Sequence, residues 1–207
     1  MQGIICLGDS ITYGVGEVPS RSWSNRLKNH FEDNPFKRTY NLGVPGDTTV
    51  SLKHRIDTEI KSRLMFKEDQ DNYLVIISIG INDTKGTNTT DNIQVPIDIF
   101  KENLKELIDI TKKHVKNIVF LSQTPVNEDL TMPIQETKYY SNEKIENYNK
   151  IIEEINKNNN CYFCDVGNYI KSKNYKQLLY DGIHPNSKGY DEMYNYVREF
   201  LDKNNLI

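Results

Sequence analysis

Short apolar runs alternate along this chain with longer stretches whose apolar positions recur at helical spacing. The runs predict strands at Ile4 to Leu7, Thr39 to Leu42, Tyr73 to Ile79, Asn117 to Ser122 and Cys161 to Val166. Between them the period predicts helices over Ser22 to Phe31, Val50 to Leu64, Ile97 to His114 and Asn142 to Asn156, with a last one from Ser187 to Asp202. The third of these shows the period most clearly: Phe100, Leu104, Leu107, Ile108 and Val115 fall on one face, with charges opposite. The run from Tyr73 is apolar on both faces, as a central parallel strand requires. Strand and helix in turn make βαβ units. Right-handed crossovers then place helices on both faces of a parallel sheet.

Length and composition narrow the picture. A chain of 207 residues with 37% hydrophobic and 27% charged residues, and no repeat, reads as one domain over 1–207, long enough to bury a core without staples. A mean hydropathy of -0.67 gives it a polar surface. With a net charge of -3, it presents no broad positive field for nucleic acid or an anionic membrane. The longest apolar runs, such as Leu74 to Ile77, are far too short to span a bilayer. The segment Met1 to Leu7 lacks a basic region, a long apolar stretch and a cleavage site, so it reads as a first strand and the expected compartment is the cytoplasm. Three cysteines agree with a reducing compartment. Cys161 and Cys164 sit in a predicted strand, which separates their α carbons by roughly 10 Å, beyond disulfide reach. No second pair completes a metal site, and buried thiols are the reading adopted.

Polar chemistry gathers just after the strands. Two long polar connections, Thr84 to Pro96 and Thr124 to Tyr140, fall at strand ends, where open α/β sheets hold their ligands. After the first strand comes Gly8-Asp9-Ser10, with Gly14 beyond; a serine there is placed as an exposed nucleophile, or equally as a helix N-cap. No phosphate-loop or dinucleotide glycine pattern accompanies it. The second strand runs into Gly43-Val44-Pro45-Gly46-Asp47, a tight turn whose glycine N–H can approach a ligand. The third ends in Gly80-Ile81-Asn82-Asp83, where Asn82 can donate its amide to an anion or serve as a turn residue. Near the C-terminus, Asp181 and His184 stand three residues apart in Asp181-Gly182-Ile183-His184-Pro185, close enough for the carboxylate to reach the imidazole. His30, His54 and His114 lie in helical patterns and have no comparable company.

Taken together and in order, these segments resemble the blocks of the SGNH (GDSL-type) hydrolase family. Gly8-Asp9-Ser10 resembles the first block, Gly46-Asp47 the second, Gly80-Ile81-Asn82-Asp83 the third, and Asp181 to Pro185 the fifth. The resemblance spans Gly8 to Pro185 and implies a three-layer αβα fold around a flavodoxin-like, five-stranded parallel sheet. It implies ester hydrolysis by a Ser10–His184–Asp181 triad through an acyl-enzyme. The oxyanion would meet the Ser10 and Gly46 N–H groups and the Asn82 amide; Gly46 is preferred to Gly43 because Gly46-Asp47-Thr48 reads as the family's second block does. No metal or organic cofactor is implied, and the implied partner is a small-molecule ester, not nucleic acid or an integral membrane contact. Short acyl groups are expected, since loop 84–92 has no large apolar side chain, while Val126, Leu130, Met132, Ile134, Tyr139 and Tyr140 offer one apolar wall. Lysophospholipase or thioesterase action on longer chains is the alternative within the family. A non-catalytic α/β module for small anions, or the same scaffold with an idle triad, are the competing readings, and turnover of p-nitrophenyl acetate separates them from the enzyme.

Overall fold

Strand formation follows the apolar pattern, and so does the pairing. The structure, a computed structural model, describes residues 3–19, 21–31, 37–64 and 71–207; Met1 and Gln2 of the first predicted segment lie outside them. Strands β1 (Gly3–Gly8), β2 (Arg38–Gly43), β3 (Tyr73–Ser78), β5 (Asn117–Leu121) and β7 (Tyr162–Cys164) form one parallel sheet in the order β2-β1-β3-β5-β7. The parallel pairing is what the strand–helix alternation predicts, and the order is that of the flavodoxin-like, five-stranded sheet implied by the family resemblance. Strand β7 stops earlier than its apolar run, because the Asp165 side chain accepts the Asn168 N–H and starts helix α7 (Val166–Lys171).

Alternate residues of each strand feed two separate apolar layers. Ile4, Cys6, Leu74, Ile76, Val119 and Leu121 pack with Trp23 and Leu27 of helix α2 (Trp23–His30) and with Tyr190, Met193, Val197 and Leu201 of helix α8 (Ser187–Lys203). Ile5, Leu7, Val75, Ile77, Ile118 and Phe120 face the other way, onto helices α3 (Thr49–Lys61), α4 (Ile97–Lys112) and α6 (Asn142–Asn158). Each of these buried side chains contributes about 1.5–3 kcal/mol relative to exposure, so the sheet is held rigidly between two helical layers. Cys6 and Cys164 are buried thiols as expected, whereas Cys161 is only half-buried, just before β7.

Shorter elements escaped the pattern. Helix α1 (Ser10–Tyr13) begins directly after β1, helix α5 (Glu128–Thr131) lies in the long connection after β5, and a 3-10 turn covers Tyr175–Leu178. Strands β4 (Gly86–Thr87) and β6 (Lys138–Tyr139) pair antiparallel and join the two long polar connections into one ribbon. His114 is corrected as well: its Nε2 lies 2.7 Å from Asp57 Oδ1 on α3, so a histidine read as lacking company has a carboxylate partner. Among the described residues, no helix is long and apolar enough to cross a membrane.

The sheet reverses its order of strands between β1 and β3. The chain moves outward from β1 to β2, then returns to place β3 on the other side. A crevice opens at the carboxyl ends of strands at such a point. Gly8 registers with Gly43 on one side and Ser78 on the other, so the loops after β1, β2 and β3 leave the sheet at one level.

Candidate active site

Ser10 sits at the first position of α1, six per cent exposed. It is not the cap; Asp9 is, with Oδ1 accepting the Ile11 N–H at 2.9 Å. That leaves the Ser10 hydroxyl free of capping duty. It also leaves the Ser10 N–H among those of the first turn that have no acceptor within the helix.

Ser10 Oγ lies 2.8 Å from His184 Nε2. On the other side of the ring, His184 Nδ1 lies 2.7 Å from Asp181 Oδ2. Asp181 Oδ1 also accepts the backbone N–H groups of Ile183 at 3.0 Å and His184 at 2.9 Å, folding the five-residue motif around its own carboxylate. Burial pushes the Asp181 carboxyl up, but the His184 side-chain and backbone hydrogen bonds, with the Ile183 N–H, outweigh it and hold the group at about 2. The carboxylate is therefore ionised throughout the range in which an imidazole titrates. With the carboxylate on Nδ1, that nitrogen carries the proton and Nε2 presents its lone pair to the serine hydroxyl.

The turn that bears Asp181 and His184 is pinned on both flanks. Asn127 N–H donates to Gly182 C=O at 2.8 Å, and Tyr180 N–H to His184 C=O at 2.7 Å. Asn186 then caps α8 by accepting the Gly189 N–H. Further along that helix, the Tyr190 hydroxyl donates to Val15 C=O at 2.6 Å, fastening α8 to the segment that follows α1. Residues 174 apart are thus held in one hydrogen-bonded chain.

The two glycines after β2 separate clearly. A Cβ on Gly43 would lie 2.1 Å from the Tyr13 nitrogen, so Gly43 serves the close approach of β2 to α1. Gly46 has φ +85, and a Cβ there would meet no atom within 4 Å. The side of its backbone where a Cβ would stand borders open space. Asn82 is eight per cent exposed and donates through Nδ2 to Asp47 C=O at 2.9 Å, which places its amide against the Gly46–Asp47 turn. The structure therefore gathers Ser10, His184 and Asp181 into one chain and joins Asn82 to the loop of Gly46.

Several residues here were not singled out from the sequence. Arg55 on α3 bonds Asp47 Oδ2 through Nε at 2.8 Å, and its Nη2 donates to Gly8 C=O and Leu42 C=O at 3.0 Å each. One guanidinium thus ties the ends of β1 and β2 to the loop of Gly46. Asp83 accepts the backbone and hydroxyl hydrogens of Thr49 at the start of α3. Burial pushes Asp83 up to about 6 and Asp9 to about 7; Asp47 adds to both shifts, and Asp9 and Asp83 stand close enough for Asp83 to raise Asp9. Their positions beside Ser10 and Asn82 in the motifs were the available signal. Among the described residues, no three His, Cys, Asp or Glu side chains group to hold a metal ion.

Comparison with solved structures shows the same fold. The chain aligns over 99% of its length with 97% of a lipase/acylhydrolase from Enterococcus faecalis, at 20% identity and a TM-score of 0.78. It aligns over 97% with 93% of an acetylxylan esterase from Geobacillus stearothermophilus, at 21% identity and a TM-score of 0.72. An α/β hydrolase enzyme from the metagenome of Lake Arreo, Spain, aligns over 99% of this chain and 95% of its own, at 21% identity and a TM-score of 0.73. No curated protein matches. The model of the GDSL-like lipase/acylhydrolase family matches residues 6–192, which hold every motif from Gly8 to Pro185, and the chain belongs to that family.

Proposed function

We propose that this protein is a serine carboxylic-ester hydrolase that works through an acyl-enzyme. The observation that carries the reading is the unbroken chain from Ser10 Oγ through His184 to Asp181, with contacts of 2.8 and 2.7 Å, at the switch point of the sheet. In the first half-reaction Ser10 Oγ attacks the ester carbonyl while its proton passes to His184 Nε2. The tetrahedral oxyanion is met by the Ser10 and Gly46 N–H groups and by the Asn82 amide. Collapse of the intermediate breaks the bond to the alcohol oxygen, which takes the proton back from His184. Water then repeats the sequence on the acyl-serine, with His184 as its base, and releases the acid. Asp181 stays ionised and stabilises the imidazolium.

Asn82 tests the oxyanion assignment. Loss of one such donor typically lowers kcat by about 10² to 10³. Asn82→Ala is expected to show that loss with little change in KM, measured by steady-state turnover of p-nitrophenyl acetate. A variant altered in KM alone returns Asn82 to the role of a turn residue.

The substrates we assign are short acyl esters, acetyl to butyryl, on a small alcohol or carbohydrate. Val126 and Tyr140 are committed to the interior, and Ile134 packs against the core. Leu130 and Met132 remain exposed, and Leu130 Cβ would sit 2.9 Å from a Cβ on Gly182, next to the Asp181–His184 turn. Two exposed apolar side chains make an edge, not a trough, and each further methylene needs apolar surface to gain its roughly 0.8 kcal/mol. The fold shared with the Geobacillus acetylxylan esterase agrees with this choice. On p-nitrophenyl esters kcat/KM is expected to peak at about four carbons or fewer and to fall steeply by about eight. A maximum at eight or beyond would favour a longer-chain, lysophospholipase- or thioesterase-like substrate.

A further inference from the structure

Tyr140 belongs to the long connection after β5, where its ring was expected to line the acyl site. It is instead six per cent exposed, and its backbone is fixed at both ends. Its N–H donates to Thr131 C=O at 3.0 Å, and its C=O accepts from Thr131 Oγ1 at 2.9 Å. It follows β6 directly, and β6 pairs with β4, which begins four residues after Asn82. The ribbon thereby carries Tyr140 back to the end of β3, although the two residues are 58 apart in sequence.

There the Tyr140 hydroxyl donates to Asn82 Oδ1 at 3.3 Å. The amide of Asn82 has one oxygen and two N–H donors to place. Its oxygen takes the phenol hydrogen, and one N–H goes to Asp47 C=O at 2.9 Å. A flipped amide would set its oxygen against the Asp47 carbonyl, two acceptors face to face, so this orientation is the only satisfied one. The second N–H is left for a ligand. A donor on the carbonyl oxygen also polarises the amide, which strengthens what that N–H can give to a developing negative charge. Burial, with Asp9 and Asp181 nearby, pushes the Tyr140 hydroxyl up to about 12, so it remains a neutral donor at working pH. At 3.3 Å the bond is long for O–H···O and has room to shorten as the amide takes up charge.

We propose that Tyr140 is a positioning residue of the oxyanion hole, fixing and polarising the Asn82 amide through its carbonyl oxygen. The inference rests on the reading of Asn82 as an oxyanion donor. The test is a double-mutant cycle on p-nitrophenyl acetate with Tyr140→Phe, Asn82→Ala and the double variant, kcat and KM taken separately. Tyr140→Phe keeps the buried ring, and its thermal midpoint serves as the control for folding. One neutral hydrogen bond corresponds to roughly a 5- to 10-fold loss in kcat, expected here with KM unchanged. In the Asn82→Ala background the same substitution is expected to cost nothing further, because the amide it serves is gone. A Tyr140→Phe enzyme with full kcat, or one whose loss multiplies with a normal Asn82→Ala loss, overturns the role of Tyr140 alone. An Asn82→Ala enzyme with full kcat overturns the oxyanion reading and this inference with it.

Discussion

Ser10→Ala is expected to lose about 10⁶ in kcat on p-nitrophenyl acetate, the scale seen when the nucleophile of a serine hydrolase is removed. The loss is large because Ser10 Oγ is the atom that is acylated in the proposed mechanism. His184 would keep its carboxylate partner and the oxyanion donors would stay in place, so what remains is hydrolysis by water in a pre-formed site. The fold should survive the change. Ser10 is not the cap of α1, since the Asp9 carboxylate performs that task, and Ala is compatible with the first position of a helix. An unchanged thermal midpoint beside a lost activity is the expected pair of results. A variant that retains more than a few per cent of wild-type turnover would remove Ser10 from the mechanism.

Asp181→Asn is expected to lower kcat by up to about 10⁴, although it changes one atom. An asparagine that keeps its oxygen on the Ile183 and His184 backbone N–H groups would present its NH₂ to the ring. His184 Nδ1 would then have to accept, so Nε2 would carry the hydrogen and could no longer withdraw one from Ser10. The same geometry sets the pH dependence. Asp181 is held at about 2, so it stays a carboxylate from neutral pH down to about 5, and a loss of activity over that range does not come from its protonation. Protonated His184 has no lone pair for the serine hydroxyl, so kcat/KM is expected to fall on the acid side. For stability the sign is opposite to that of a raised group. A depressed carboxylate stabilises the folded state above its unfolded value of about 3.9, and that contribution is lost as pH drops toward 2. An Asp181→Asn enzyme within a factor of ten of wild type, or an activity flat from about pH 5 to 8, would contradict the assigned roles.

The elements that the sequence showed plainly are those with a strong period. The five strands of the sheet and the five longer helices are there because β-branched runs such as Tyr73 to Ser78, and stripes such as Phe100, Leu104, Leu107 and Ile108, each have a single way to be buried. The motif residues Ser10, Gly46, Asn82, Asp181 and His184 were equally visible, since each follows a strand or a sharp turn with glycine beside it. What stayed hidden depends on contacts between distant segments. A β4–β6 ribbon of two residues a side has no periodicity to read, yet it delivers Tyr140 to Asn82. Arg55 looked like one more charge on α3 and in fact holds the ends of two strands. Asp9 and Asp83 stood inside the motifs, but their full burial, and the bond of Asp83 to Thr49 at the start of α3, depend on tertiary contacts. His114 found Asp57 across two helices, a pairing no local spacing announces.

The most direct measurement is covalent labelling of the folded protein with a fluorophosphonate, followed by intact mass and peptide mapping. The phosphonyl group reacts where a serine hydroxyl is activated by a base and the negative charge developing on the phosphonyl oxygen is met by oxyanion donors, fluoride being the leaving group. One adduct per chain is predicted, on the peptide that carries Ser10, and none on Ser10→Ala. An adduct at another residue, or a wild-type protein that takes up no label while it hydrolyses esters, would contradict the account.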